Sequence, residues 1–202
     1  MGIRRNILLN PGPSTTTDTV KHAQIVADIC PREEEFGRLI EGISKDLVRI
    51  AGGDESYTCV LFGGSGTAGM DAVINSVTPP NRKILIISNG AYGERMVKIA
   101  KAYSITPVEL AYDWAELPTV EDVEAVLQRD PEIACVAMVH HETTTGLLNP
   151  VPQVGEIVKK HDKVFIVDTI SSFAGIPINV KEFSIDFMMS TSNKCIQGMA
   201  GV

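Results

Sequence analysis

The chain lacks a surplus of positive charge: 18 Lys and Arg stand against 25 Asp and Glu, a net charge of −7. Without a basic face it has little to neutralise a phosphate backbone, which excludes nucleic acid as an expected partner. It also lacks any apolar run near the ~18 residues that cross a bilayer. Its first residues, Met1-Gly2-Ile3-Arg4-Arg5-Asn6, lack the apolar stretch of a secretory signal, and Asn6 stands where a myristoylation pattern requires Ser or Thr. No membrane partner is expected. The four cysteines (Cys30, Cys59, Cys135, Cys195) form no Cys-x-x-Cys pair and have no regular spacing. That favours reduced, mostly buried thiols in a cytoplasmic protein over disulfides or zinc. Repeats, low-complexity tracts and like-charge blocks are missing too. What remains is 44% hydrophobic and 21% charged residues over 202 positions, enough to bury a globular core.

Residues 1–15 read as an extended arm, because the apolar run Ile7-Leu8-Leu9 breaks at Asn10-Pro11-Gly12-Pro13. Residues 16–202 read as one α/β domain. Helical spacing follows Asp18 through Val20, Ile25 and Val26. It resumes from Glu33 to Ile50, acidic at its start and basic at Arg49, until Gly52-Gly53 stops it. Beyond that point, strands are predicted over Tyr57–Phe62, Ile84–Ser88, Ile105–Leu110, Ile133–Val139, Val164–Val167 and Ile185–Met189. Helices are predicted near Ala68–Val77, Tyr92–Tyr103, Val120–Gln128 and Val151–His161. Strands this apolar, alternating with helices, imply a mostly parallel sheet covered on both faces, with functional groups at the strands' carboxyl ends. After the last strand comes a Gly-rich turn with no covering helix, so the chain reads as truncated.

Three motifs carry chemistry. Phe62-Gly63-Gly64-Ser65-Gly66-Thr67-Ala68-Gly69 lies between a strand and a helix, where exposed N–H groups and the helix dipole form an anion cup and Ser65 and Thr67 add hydroxyls. A dinucleotide reading fails, because the next strand ends Ser88-Asn89-Gly90 without an acid. A Walker reading fails because Met70-Asp71 follows Gly69. The alternative is a glycine turn that only packs helix on strand. Secondly, Val164 to Val167 delivers Asp168 to a strand end, where an ionised carboxylate needs a partner such as a cationic ring nitrogen. The alternative is a cap on the turn at Ser171-Ser172. Thirdly, the strand ending at Met189 opens through Ser190-Thr191-Ser192-Asn193 to Lys194. In a dry site this Lys can lose its proton and form a Schiff base; otherwise it is a solvated surface charge. Together, a phosphate cup, a carboxylate for a pyridinium and a Schiff-base Lys are what pyridoxal 5′-phosphate chemistry asks of a protein. His140-His141-Glu142 is not read as a metal site: adjacent residues on a strand face opposite ways, and Thr145 breaks H-E-x-x-H. Cys195 is read as a small packed thiol.

These motifs, with Leu8-Leu9-Asn10-Pro11-Gly12-Pro13, Asn89-Gly-Ala-Tyr92-Gly-Glu-Arg95 and His140-His-Glu-Thr143-Thr-Thr-Gly146, resemble the fold-type I, class V aminotransferases along the whole chain. Asp168 and Lys194 lie 194 − 168 = 26 residues apart, in keeping with that family. The resemblance implies that Lys194 holds pyridoxal 5′-phosphate covalently and Asp168 keeps its ring nitrogen protonated. It implies that Ser65, Gly66 and Thr67 bind the phosphate, that Tyr92 stacks on the ring where many relatives carry Trp, and that Thr143 lies near the phenolic oxygen. It further implies 2-aminoethylphosphonate and pyruvate as substrates, a homodimer, and a substrate-binding Arg in a carboxyl-terminal domain beyond Val202. The alternatives are an alanine:glyoxylate or serine:pyruvate aminotransferase of the same class, or an inactive truncated interaction module. Tyr92 could equally pack at a helix start.

Overall fold

The structure, a computed structural model, describes residues 6–202; Met1 to Arg5 of the expected arm lie outside the described residues. Five parallel strands form one sheet: β1 (Lys83–Ser88), β2 (Thr106–Ala111), β3 (Ile133–Val139), β6 (Val164–Asp168) and β7 (Phe187–Met189), in the order β2-β1-β3-β6-β7. Between β3 and β6 lies an antiparallel hairpin, β4 (His141–Glu142) and β5 (Leu147–Leu148), which the sequence pattern did not reveal.

Side-chain alternation divides the core in two. Leu85, Ile87, Val136, Met138, Phe165 and Val167 pack with helices α5 (Val120–Arg129) and α6 (Val151–Lys160). Ile84, Ile86, Cys135, Ala137, Val139 and Ile166 pack on the other face with α3 (Gly66–Val77) and α4 (Ala91–Ala102). Both faces are thus covered, and β1, β3 and β6 are apolar at nearly every position because each position meets a helix layer. The doubly wound parallel sheet is the architecture expected. Its strand order reverses between β1 and β3, which opens a crevice at their carboxyl ends.

Three expectations need correction. Tyr57–Phe62 forms no strand: a strand needs a hydrogen-bonding neighbour, the described sheet ends at β7, and Val60 stays 79% exposed. The first helix, α1 (Asp18–Ala23), stops short of Ile25 and Val26, which are exposed. Thiols are not mostly buried, since only Cys135, inside β3, is; Cys59 is half-buried, Cys30 and Cys195 are exposed, and all four are free. Helix α2 (Glu34–Ile50) forms as expected but has no buried residue, and Leu39, Ile43 and Ile50 on it are exposed.

Candidate active site

Asp168 ends β6. Two positions beyond Ile166, it points to the α3/α4 face, under the start of both helices. It is 2% exposed, and its Oδ1 accepts the Ile170 N–H at 2.8 Å, so the turn-capping alternative holds for one oxygen. No other hydrogen bond reaches its carboxylate among the described residues. Burial, helped by the nearby Glu142 charge, pushes its pKa up to about 7 against the pull of the Ile170 N–H, Arg95 and Lys194. A carboxylate so placed is unsatisfied in its charged form and would be stabilised by a cationic N–H.

Lys194 follows β7 in a turn closed by Gly198 N–H to the Ser192 carbonyl at 2.7 Å. Its Nζ donates to the Pro11 carbonyl at 3.4 Å, and the Ser14 N–H donates to the Asn193 carbonyl at 3.0 Å, so the arm lies directly on the lysine turn. Contact is close enough that a Cβ on Gly12 would fall 2.3 Å from the Lys194 Nζ. The lysine turn sits at the rim of the sheet, and Lys194 is half-buried there. Cys195 next to it is exposed rather than packed. Asp168, Lys194, Tyr92 and Thr143 line one pocket with Val139, His141, Ile170 and Ser171.

Ser65, Gly66 and Thr67 start α3 beside that pocket, where a Cβ on Gly66 would come 2.8 Å from Ile170 Cδ1. Ser65 is the N-cap, accepting the Ala68 N–H on its Oγ at 3.2 Å. Gly64 N–H is taken by the Gly201 carbonyl at 2.9 Å, whereas Gly66 and Thr67 N–H meet no acceptor among the described residues. Two unpaired N–H groups, two hydroxyls and a helix N-terminus with no acid in its first turn form a donor set suited to a phosphate. With the unsatisfied Asp168, the ring of Tyr92 and the amine of Lys194, these residues fit pyridoxal 5′-phosphate.

Sequence reasoning missed the groups that fix this geometry. Glu142 is fully buried, its Oε2 accepting Tyr92 N–H at 3.2 Å and Gly93 N–H at 3.4 Å, and its Oε1 accepting Thr144 Oγ1 at 2.7 Å. It caps α4 from another element, because the N-cap Gly90 has no side chain to do so. Asn89 and Asn149, 60 positions apart, exchange amide bonds at 2.8 and 3.2 Å and tie β1 to the segment before α6. Arg95 donates to Thr67 Oγ1 at 3.1 Å and lies 4.9 Å from the Tyr92 ring centroid. His140 bonds Ser172 Oγ at 2.9 Å, and burial, with His141 adding, depresses its pKa to about 4. Among the described residues, no group of three His, Cys, Asp or Glu is arranged to hold a metal ion.

A parallel sheet bearing a lysine turn, a buried strand-end acid and a helix-capped anion cup defines the class. The chain belongs to the class-V aminotransferases, whose family model matches residues 20–202. That family is pyridoxal-phosphate-dependent. The chain is 45% identical over 204 aligned positions to the 2-aminoethylphosphonate–pyruvate transaminases of Salmonella paratyphi C and Salmonella choleraesuis; the match takes in all of this chain and 55% of each relative. It therefore spans about half the length of the curated relatives it matches. Among solved structures it resembles alanine–glyoxylate aminotransferase from Nostoc sp. (29% identity, TM-score 0.91, all of this chain and 53% of that one). It also resembles pyridoxamine–pyruvate aminotransferase from Mesorhizobium loti (26%, TM-score 0.90, 98% and 50%).

Proposed function

We propose that this chain is the cofactor-binding part of an aminotransferase that uses pyridoxal 5′-phosphate to move the amino group of 2-aminoethylphosphonate to pyruvate, giving phosphonoacetaldehyde and alanine. Residues 16–202 are its large domain and residues 1–15 its N-terminal arm, of which Pro11, Gly12 and Ser14 contact the lysine turn. The observation that carries this reading is the meeting of Asp168 and Lys194 in one pocket beside the α3 N-terminus, in a chain 45% identical to curated transaminases of that specificity.

When bound, the cofactor supplies an electron sink for negative charge at the substrate carbon. Asp168 would keep the proton on the ring nitrogen: buried and bonded at one oxygen alone, its charged form gains the partner it lacks in a cationic N–H. The Gly66 and Thr67 N–H groups and the Ser65 and Thr67 hydroxyls would hold the phosphate, Tyr92 would cover the ring, and Thr143 would serve the phenolic oxygen. Lys194 would hold the cofactor covalently, and its free amine would move the proton off the substrate carbon. Release of phosphonoacetaldehyde before pyruvate enters makes the kinetics ping-pong. The exposed apolar side chains of α2 are consistent with a homodimer, and we place the enzyme in the cytoplasm.

Titration of the purified protein with pyridoxal 5′-phosphate, followed by visible absorption, tests the reading. A shifted band is expected that Lys194→Ala abolishes, with turnover falling about a thousandfold or more. A band independent of Lys194 would overturn it. Turnover of serine in preference to 2-aminoethylphosphonate would instead assign the chain to the carboxylate-specific branch of the class.

A further inference from the structure

Arg95 enters none of the roles above, yet it touches two of the groups assigned to the cofactor. It lies three positions after Tyr92 on α4, so both project from one face of that helix. From there its Nη1 crosses to α3 and donates to Thr67 Oγ1, while the guanidinium lies over the Tyr92 ring. It forms no ion pair among the described residues, although a guanidinium keeps its charge at any ordinary pH. A guanidinium has donors and no acceptor, so the polarity of the Arg95–Thr67 bond is fixed: Thr67 Oγ1 accepts, and the hydroxyl proton is left for another partner. Ser65 Oγ is placed in the same way by the Ala68 N–H it accepts. Both hydroxyls at the start of α3 thus accept one N–H each and keep a proton to donate, next to two unpaired N–H groups.

We propose that Arg95 is a positioning residue for the cofactor's phosphate, holding the Thr67 hydroxyl as a donor toward the anion, placing a positive charge behind it and pinning the Tyr92 ring. The inference rests on the cofactor reading above and goes beyond it by assigning selectivity for the phosphorylated cofactor to a residue outside the anion cup.

Its signature is a difference between two ligands, which damage to the fold alone would not produce. Pyridoxal 5′-phosphate and phosphate-free pyridoxal are each titrated by equilibrium dialysis into the unaltered protein, Arg95→Met, Arg95→Lys and Thr67→Val. Arg95→Met keeps the aliphatic stem; it should weaken the phosphorylated ligand roughly 10- to 100-fold and pyridoxal less than about threefold. Arg95→Lys keeps the charge without the fork, so it should fall between. In the Thr67→Val background, Arg95→Met should cost less than it does alone, because the shared bond is already gone. Equal weakening of both ligands, no weakening of either, or strict additivity with Thr67→Val overturns the proposal. If the unaltered protein binds neither ligand, the parent reading fails, and this one with it, before any variant is compared. Should Arg95→Met not fold, Arg95→Lys and Thr67→Val still decide, through the ratio of the two affinities.

Discussion

The two ends of the same sheet treat charge in opposite ways. At the amino ends of the strands, Lys83 bridges Asp130 at 2.9 Å and Glu132 at 2.7 Å, and Arg82 donates to the carbonyls of Pro131 and Glu132 at 2.9 Å. A hollow of about 560 Å³ opens there, far larger than the one around Asp168, but its Arg82, Lys83 and Glu132 already have partners. At the carboxyl ends, Asp168, Glu142, Arg95 and Lys194 gather without an ion pair among the described residues, and the proton affinity of Asp168 is raised by burial. The difference teaches that room does not mark this site. A buried carboxylate left short of partners does, with Arg95 and Lys194 near it but unpaired, because such an arrangement costs stability and leaves these groups able to act on a ligand.

Asp168→Asn should break the comparison most visibly, because it removes the costly charge and the proposed ring-nitrogen partner together. Affinity for pyridoxal 5′-phosphate should fall roughly ten- to a hundredfold, the worth of one charge-assisted hydrogen bond. In protein stripped of cofactor the stability should move the other way. The Asp168 pKa is about 7 folded against 3.8 for the ordinary carboxyl, so the native state binds its proton more tightly. Its contribution is complete below pH ~4 and is lost as pH rises through ~7, on the order of a few kcal/mol by pH 8. Denaturant melts from pH 4 to 8 should therefore show Asp168→Asn gaining on the unaltered protein as pH rises. A gap that stays constant would mean that the carboxylate is already satisfied. His140 works in the opposite sense: its pKa falls from 6.5 to about 4, giving stability that is present above ~6.5 and lost on acidification. In the Asn variant that acid-side loss should emerge uncompensated.

Gly90→Ala should have the next largest effect. Backbone freedom is not the reason, since φ there is 174°, which any residue adopts. A Cβ would stand 2.3 Å from Glu142 Cγ and 2.5 Å from Cδ, and that carboxylate is held by backbone N–H groups on the far side. The clash should cost about 1–3 kcal/mol in a denaturant melt. Added to Glu142→Ala, which removes the two nearest atoms and leaves Thr144 Oγ1 at 2.8 Å, Gly90→Ala should cost less than it does alone. Additive costs would show that Glu142 is not what excludes a side chain at position 90.

The same contrast explains what was legible in the sequence. Buried strands such as Lys83–Ser88 and Ile133–Val139 are readable because covering both faces turns nearly every position apolar. Asp168 and Lys194 stand out as single charges at the ends of such runs. Tyr57–Phe62 has the same local pattern, but pairing is a property of a neighbour, and no local pattern reports whether one is there. Glu142 and Asn149 were missed because their partners lie 50 and 60 positions away. One signal for Glu142 was available: α4 begins after Gly90, a cap without a side chain, so its buried N–H groups had to find an acceptor elsewhere. Arg95 was also within reach, since its spacing of three from Tyr92 places the two on one helix face.

Lys83→Met should have the smallest effect, and it probes the comparison from its other side. The lysine bridges two carboxylates, and its hydrogen bonds to Glu132 and Asp130 hold its pKa above the ordinary value. These side chains keep substantial contact with water, so the network is screened by salt. The variant should bind pyridoxal 5′-phosphate as tightly as the unaltered protein. Its melting temperature should fall slightly in low salt, and the deficit should shrink as ionic strength rises. The sheet separates Lys83 from Asp168 by the length of its strands, with a dry core between them, so matched charge at one rim has no route by which to tune unmatched charge at the other. A change in cofactor affinity on removing Lys83 would show that the rims are coupled, and the division of labour drawn between them would be wrong.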